Sequence, residues 1–256
     1  MNYYKQEERE HYNSRYDHPE KISHRKLSVY DLINSNAVKA FYEQVTKYIT
    51  IYKNGTILDY GCASGERSSH LADDNWFIYG IDISEKSIEA GSSISKDKYI
   101  VLSVMDCEQM SFDDNYFDII FDYGTLSSID QSIAVKELAR VLKPGGALIC
   151  IETLGHHPFG NINRYIKMLF GKRTKWATNN IMTMQSWKTF SNHFQIISLQ
   201  YFNLISILFA PLLSIVPQKT SIKLLKYLWR LDSYLCELPH FKKYAFKTVT
   251  VLKKAS

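Results

Sequence analysis

The chain has 256 residues, 45% of them hydrophobic, with a formal net charge of +5. That apolar content supports a real core and excludes global disorder. The length fits a single domain spanning 1–256 with room for a sizeable insertion. Its basic residues are scattered (Lys5 and Arg9, Arg25 and Lys26, Lys172 to Lys175, Lys242 and Lys243), so no nucleic-acid partner is expected.

Cys62, Cys107, Cys150 and Cys236 form no CxxC pair and no ligand cluster. This is a reduced, cytoplasmic pattern without a metal framework. The N-terminus, MNYYKQEEREHYNSRY, is charged throughout and lacks the apolar region of a secretory signal. Residues Tyr201 to Pro217 are uncharged and strongly apolar, but Asn203 and Pro211 interrupt them. The run also falls short of the roughly 20 residues a spanning helix needs. It reads as a buried wall of a substrate site, with membrane contact the less favoured alternative.

In chain order, residues 1–50 are helical, since Val29, Leu32, Ile33, Val38, Phe41, Val45, Tyr48 and Ile49 recur at helical spacing. The period then changes. Thr56 to Asp59 is a short buried strand running into Gly61-Cys62-Ala63-Ser64-Gly65, and Arg67 to Ala72 resumes as helix. Trp76 to Asp82 is the second strand; Ser84 caps the helix after it. Ile100 to Val104 and Phe117 to Phe121 are the third and fourth strands, and Ile133 to Val141 is an amphipathic helix. Lys143-Pro144-Gly145-Gly146 reads as a break before a fifth strand, Ala147 to Glu152.

Strands alternating with helices at this rhythm predict an α/β fold: a doubly wound, mostly parallel sheet with helices on both faces. Residues 154–187 show little periodicity. Phe194 to Asn203 and Ala245 to Leu252 alternate like an antiparallel C-terminal strand pair, and 204–240 between them is a helical insertion. Residues 1–50 are expected to form a lid and 55–152 the ligand-binding core. Segments 154–187 and 204–240 would form a cap over the open end of the sheet.

Ligands of doubly wound sheets bind beyond the carboxyl ends of the strands. Four groups sit there: Asp59 to Gly65, then Asp82 with Ile83, then Asp106 to Glu108, then Asp122 to Gly124. Gly61 and Gly65 allow a tight turn and close backbone approach. Asp82 offers acceptors for both hydroxyls of a ribose. The loop is not GxGxxG, because Ala63 replaces the middle glycine. A ligand with a ribose and an adenine but no pyrophosphate fits it better than a dinucleotide, which disfavours a nicotinamide oxidoreductase.

The ordered segments ILDYGCASG, YGIDIS, VMDCEQMSF, FDIIFDYGTL and ELARVLKPGGALI resemble the successive motifs of class I, Rossmann-like S-adenosylmethionine-dependent methyltransferases over about residues 55–152. The resemblance implies S-adenosylmethionine as donor, S-adenosylhomocysteine as product and no metal. It places Asp59 and Gly61 along the methionine part, with Cys62 and Ala63 also binding the donor, Gly65 ending that donor-binding loop and Tyr123 near the methionine end. Asp82 would hold the ribose with Ile83 against the adenine, while Asp106 and the Cys107 backbone would meet the adenine edge.

The second half is similar to a bacterial subgroup acting on small molecules or in biosynthetic clusters. It departs from that subgroup in reading Gly155-His156-His157-Pro158, Asn179-Asn180 in place of an acidic–histidine pair, and Leu126-Ser127-Ser128 where a histidine is usual. His156 and His157 are therefore the candidate bases, with Glu152 to orient them, and Tyr12 and Tyr16 are candidates to fold over the donor. The expected acceptor is a small, partly apolar molecule (a natural product, sugar or lipid-like compound) methylated on O or N. A nucleic-acid or protein methyltransferase and a non-catalytic donor-binding scaffold are the alternatives.

Overall fold

The computed structural model describes residues 2–16, 28–71, 74–92, 94 and 98–255. Arg25, Lys26 and the expected helix end at Ala72 lie outside the described residues. The chain opens with α1 (Tyr3–Arg15) and α2 (Val29–Tyr52). The sheet core follows as β1 (Gly55–Tyr60), α3 (Glu66–Ser69), β2 (Trp76–Asp82), α4 (Glu85–Ala90), β3 (Ile100–Val104), β4 (Phe117–Asp122), α5 (Gln131–Val141) and β5 (Leu142–Thr153). Then come α6 (Pro158–Leu169), α7 (Lys175–Asn179), α8 (Met184–Phe190), β6 (Phe194–Phe202), α9 (Ala210–Ile215), α10 (Gln218–Glu237), α11 (Pro239–Lys242) and β7 (Lys247–Lys254).

The seven strands lie in the order β3-β2-β1-β4-β5-β7-β6. The first five are parallel, and β7 pairs antiparallel with both β5 and β6. The order reverses beside β1, so β1 and β4 diverge at the point where a doubly wound sheet opens a crevice. Both faces are covered. On one, α2 starts at a Ser28–Asp31 capping box and buries Ile33, Ala37, Phe41, Val45 and Tyr48, a stripe in steps of four and finally three residues, mostly against Ile57, Ile119, Phe121 and Ile149. On the other, Asp130 caps α5, whose buried Ala134, Val135, Leu138 and Val141 pack on Leu58, Ile120 and Leu148.

Three expectations need correction. Lys143-Pro144-Gly145-Gly146 does follow the end of α5, which stops at Val141, but it belongs to β5 instead of preceding it. The strand starts at Leu142 directly after α5, and its register against β4 jumps from Phe117↔Leu142 to Ile119↔Ala147. Gly145, at φ +74°, lets the irregular strand turn without a Cβ penalty.

Residues 154–187 are not aperiodic loop, since they form three helices. His157 caps α6 ahead of Pro158, Thr174 caps α7, and Thr183 with Ser186 makes a capping box for α8.

The 204–240 insertion leaves β6 at Phe202 and re-enters β7 at Lys247, beside Thr153 at the carboxyl end of β5, but it lines no part of the cavity over β1 to β4. Ile207, Ala210, Leu213, Leu225 and Leu228 cluster with Ile33 of α2 and Phe246, and Trp229 donates its indole N–H to the Ile33 carbonyl at 3.1 Å. No helix among the described residues is long and apolar enough to cross a membrane.

Candidate active site

A cavity of about 790 Å³ opens at the carboxyl ends of β1, β2, β3 and β4. After β1, the loop contributes Gly61, Cys62 and Ala63 to its wall. Gly61 sits at φ +74°, and a Cβ there would fall 2.1 Å from Thr125 Oγ1, so no other residue fits. Ala63 also has positive φ, at 51°. An alanine in that region costs about 1–2 kcal/mol, strain stored where the backbone faces the cavity. The loop keeps this shape because Asp82, at the end of β2, accepts the Ala63 N–H through one carboxylate oxygen and the Ser84 N–H through the other, both at 2.9 Å. Burial raises the Asp82 pKa, opposed by these backbone hydrogen bonds.

Ile83 lines the cavity beside Asp82, and Asp106, Cys107 and Glu108 line it beyond β3. Asp106 accepts the Glu108 N–H at 2.8 Å, and the Tyr60 hydroxyl donates to the Cys107 carbonyl at 2.9 Å, tying the β1 and β3 ends together. Tyr123 closes the β4 side with the Arg67 guanidinium 3.8 Å over its ring.

Two residues expected along the donor lie behind this wall. Asp59 is buried and accepts the Ser68 hydroxyl at 2.6 Å, so it secures α3 rather than facing a ligand. Gly65 is the left-handed cap of α3 at φ +71° and packs on Leu102. Burial pushes the Asp59 carboxyl up to about 6. An acid whose folded pKa is raised binds its proton more tightly when folded. Its unfavourable contribution therefore grows as pH rises from about 4 through about 6 and is constant above. Asp59→Asn keeps an acceptor for Ser68 and removes that penalty. Urea melts at stepped pH should show the variant gaining about 2–3 kcal/mol on wild type across this interval. A pH-independent difference would mean the carboxyl is solvated.

The candidate bases are also corrected. His157 is 3% exposed, and its ring is fully used: Nδ1 accepts the Gly160 N–H at 3.1 Å, and Nε2 faces the Leu204 carbonyl at 3.0 Å. Burial lowers its pKa, and a neutral Nε2–H tautomer satisfies both contacts. His156 Nε2 accepts the Met184 N–H at 3.3 Å, which fixes α8. Glu152 is buried and accepts the Leu126 N–H at 2.8 Å, so it orients the chain after β4 instead of a histidine. Burial and the nearby Glu152 raise the Asp122 pKa well above its ordinary value. None of the three expected catalytic groups lines the cavity.

What faces the donor-side wall is α1. Its mean polarity hides it from hydrophobic periodicity, but Tyr4, Glu8 and Tyr12 recur every four residues on one side. Tyr4 stacks on Trp176 with ring centroids 3.9 Å apart and donates to Glu108. Lys5 bridges Asp106 at 2.6 Å and Glu108 at 2.9 Å. Asn13 accepts the Ser84 hydroxyl at 2.7 Å, and Tyr12 lies 3.2 Å from Ser128 Oγ. Lys5, Glu8, Tyr12, Arg15 and Tyr16 all line the cavity. Glu8 is 3% exposed; the Thr174 hydroxyl donates to its Oε1, whereas Oε2 has no hydrogen-bond partner among the described residues. Burial raises its pKa. Arg173, from the α6–α7 loop, reaches the same wall and donates to Ser127 Oγ at 3.1 Å. Lys5, Glu8, Arg67 and Arg173 were missed because charged residues without a motif give no local signal.

Residues 58–150 match the methyltransferase domain family. Over 128 residues the chain is 30% identical to the demethylmenaquinone methyltransferase of Staphylococcus carnosus, covering 48% of this chain and 53% of that protein. Over 143 residues it is 31% identical to the ubiquinone/menaquinone biosynthesis C-methyltransferase of Shewanella frigidimarina, covering 51% and 57%. The chain thus spans just over half the length of these relatives. A putative sarcosine dimethylglycine methyltransferase from Galdieria sulphuraria shares the fold, with a TM-score of 0.58 over 86% of each chain at 12% identity. With the motif loop, the β2 aspartate and the sheet order now joined in one crevice, residues 58–150 are similar to a methyltransferase domain and are set in a doubly wound, Rossmann-like sheet.

Proposed function

We propose that the chain methylates a ring carbon of a small, partly apolar, hydroxylated aromatic acceptor of the quinol class. The observation that carries this reading is the two-sided cavity. One wall has the groups a nucleoside amino acid needs, and the opposite wall presents a buried, half-satisfied carboxylate, Glu8, beside Arg173. At about 790 Å³ the cavity is in the upper range for small-molecule sites, roughly 300–1,000 Å³, which suits a donor and an acceptor together. The two relatives act, by name, on demethylmenaquinone and at carbon, which supports a carbon acceptor over the O or N expected from sequence.

The residues present fit the donor. Asp82 keeps free lone pairs toward the cavity for a ribose. Asp106 and the Cys107 backbone suit an adenine edge, and Arg67 suits a carboxylate beside Gly61 to Ala63. S-adenosylmethionine, when bound, supplies a methyl group on a cationic sulfonium. Glu8 takes the acceptor's hydroxyl proton, and Arg173 stabilises the oxyanion left behind, which raises electron density at the adjacent ring carbon. The carbon–methyl bond would form as the methyl–sulfur bond breaks, its electron pair staying on sulfur. The methylated ring carbon would then lose its own proton to water, the C–H pair restoring the aromatic ring, and Glu8 would return the hydroxyl proton to the oxygen. The walls hold both partners in line, where proximity supplies much of the rate.

Incubation with S-adenosylmethionine and a reduced 1,4-naphthoquinol bearing a free ring carbon beside its hydroxyl tests this. S-adenosylhomocysteine release with a ring-methylated product is expected, without added metal. A methyl ether as product, or donor binding with no turnover, would overturn the carbon reading.

A further inference from the structure

We propose that the outer face of α6 docks onto anionic phospholipid bilayers. Helix α6 is turned inside out. Its polar Arg164 is buried, donating to the Leu154 carbonyl at 3.2 Å, while Ile162, Tyr165, Ile166 and Leu169 face solvent at 59%, 57%, 46% and 66% exposure. These positions follow the i, i+3, i+4, i+7 spacing of one helical stripe, and Phe170 extends it at 74% exposure. A water-soluble helix packs such a stripe inward. A contiguous apolar surface left outside marks an interaction site.

Charge names the occupant. Between Glu152 and Asp232 the chain has no Asp or Glu at all, and every charged residue there is Lys or Arg. Lys172 and Lys175 are exposed just beyond the stripe, and Lys167 lies on α6 itself, 5.1 Å over the Tyr30 ring. An apolar stripe flanked by lysines, with no acid to repel a negative surface, is the pattern of an interfacial helix lying in the headgroup plane. A nucleic acid would use the lysines but leave the apolar stripe in water. A second copy of the chain would meet the same lysines head on. The end of this face is also the edge of the cavity: Phe170 and Lys172 immediately precede Arg173, which lines it. A docked molecule would therefore hold the cavity's Arg173 side near the lipid.

Co-sedimentation with vesicles of phosphatidylcholine alone, and with phosphatidylglycerol as a third of the lipid, tests the proposal on the full chain. Binding is expected only to the anionic vesicles and should fall with salt. Ile166→Glu with Phe170→Glu should abolish it, and Lys172→Gln should weaken it about fivefold. Both variants should keep wild-type affinity for S-adenosylmethionine, which separates failed docking from failed folding or a failed donor site. Three results would overturn the proposal: equal binding to neutral and anionic vesicles, unchanged binding by the double variant, or a concentration-dependent dimer lost in that variant with no vesicle binding. Salt-sensitive capture of an oligonucleotide in place of vesicles would assign the face to nucleic acid instead.

Discussion

Replacing Asp82 with alanine should weaken S-adenosylmethionine binding at least about a hundredfold, measured by titration calorimetry. Two ribose hydroxyls would lose a charged acceptor, at about 1.5–3 kcal/mol for each charge-assisted hydrogen bond. The same change frees the Ala63 and Ser84 N–H groups that hold the loop and start α4, so the strained φ of 51° at Ala63 loses its restraint. Asp82→Asn keeps one good acceptor and should fall between wild type and alanine. Asp106→Ala should cost less, about tenfold, because a single adenine contact is lost while Glu108 still holds Lys5 at 2.9 Å. Equal affinities for wild type and Asp82→Ala would place the ribose somewhere other than the end of β2.

The sheet and the donor-side wall were legible because their signals are local. Buried strands such as Ile57-Leu58 run straight into glycines, and an acid at the end of β2 follows about twenty residues on. Those features specify both the turn and its position at a strand's carboxyl end. Side-chain direction was not legible. Asp59 and Asp82 look alike in the sequence as acids ending strands, yet one turns back to Ser68 and the other faces the cavity.

His157 followed by Pro158 is as good a helix N-cap as it is a base, and only the contact to Leu204, 47 positions away, decides the matter. Helix α6 shows a related limit. A stripe of apolar residues fixes the helical period but not which side meets the protein, and here the buried side belongs to Arg164. That the insertion at 204–240 packs on α2 and lines no part of the cavity was not legible for the same reason: its partner Ile33 lies far off in the chain. The opposite wall was read only in part: Tyr12 and Tyr16 were expected there and line the cavity, but Lys5 and Glu8 were missed, because α1 is held by ion pairs and hydrogen bonds to Asp106, Glu108 and Ser84, which leave no hydrophobic pattern to read.

Because that wall supplies the proposed base, Glu8→Gln should lower kcat by about 10²–10⁴-fold, the usual worth of a positioned proton acceptor. Affinity for S-adenosylmethionine should stay within about twofold, since no donor group is assigned to Glu8 and its amide can still accept from Thr174. The pH profile separates chemistry from structure. Burial raises the Glu8 pKa, and only the deprotonated carboxylate can accept a proton. The wild-type rate should therefore climb with pH through that raised value and then level, while the residual rate of Glu8→Gln should be flat across the same interval. Stability should move the other way. A carboxyl with a raised folded pKa contributes most to stability below its unfolded pKa and loses that contribution as pH rises through the folded one. The glutamine variant escapes the loss and should melt no lower than wild type at neutral pH. A variant with full kcat, or one losing activity and donor affinity in parallel, would remove Glu8 from the chemistry and leave it only as the residue that ties α1 to Thr174.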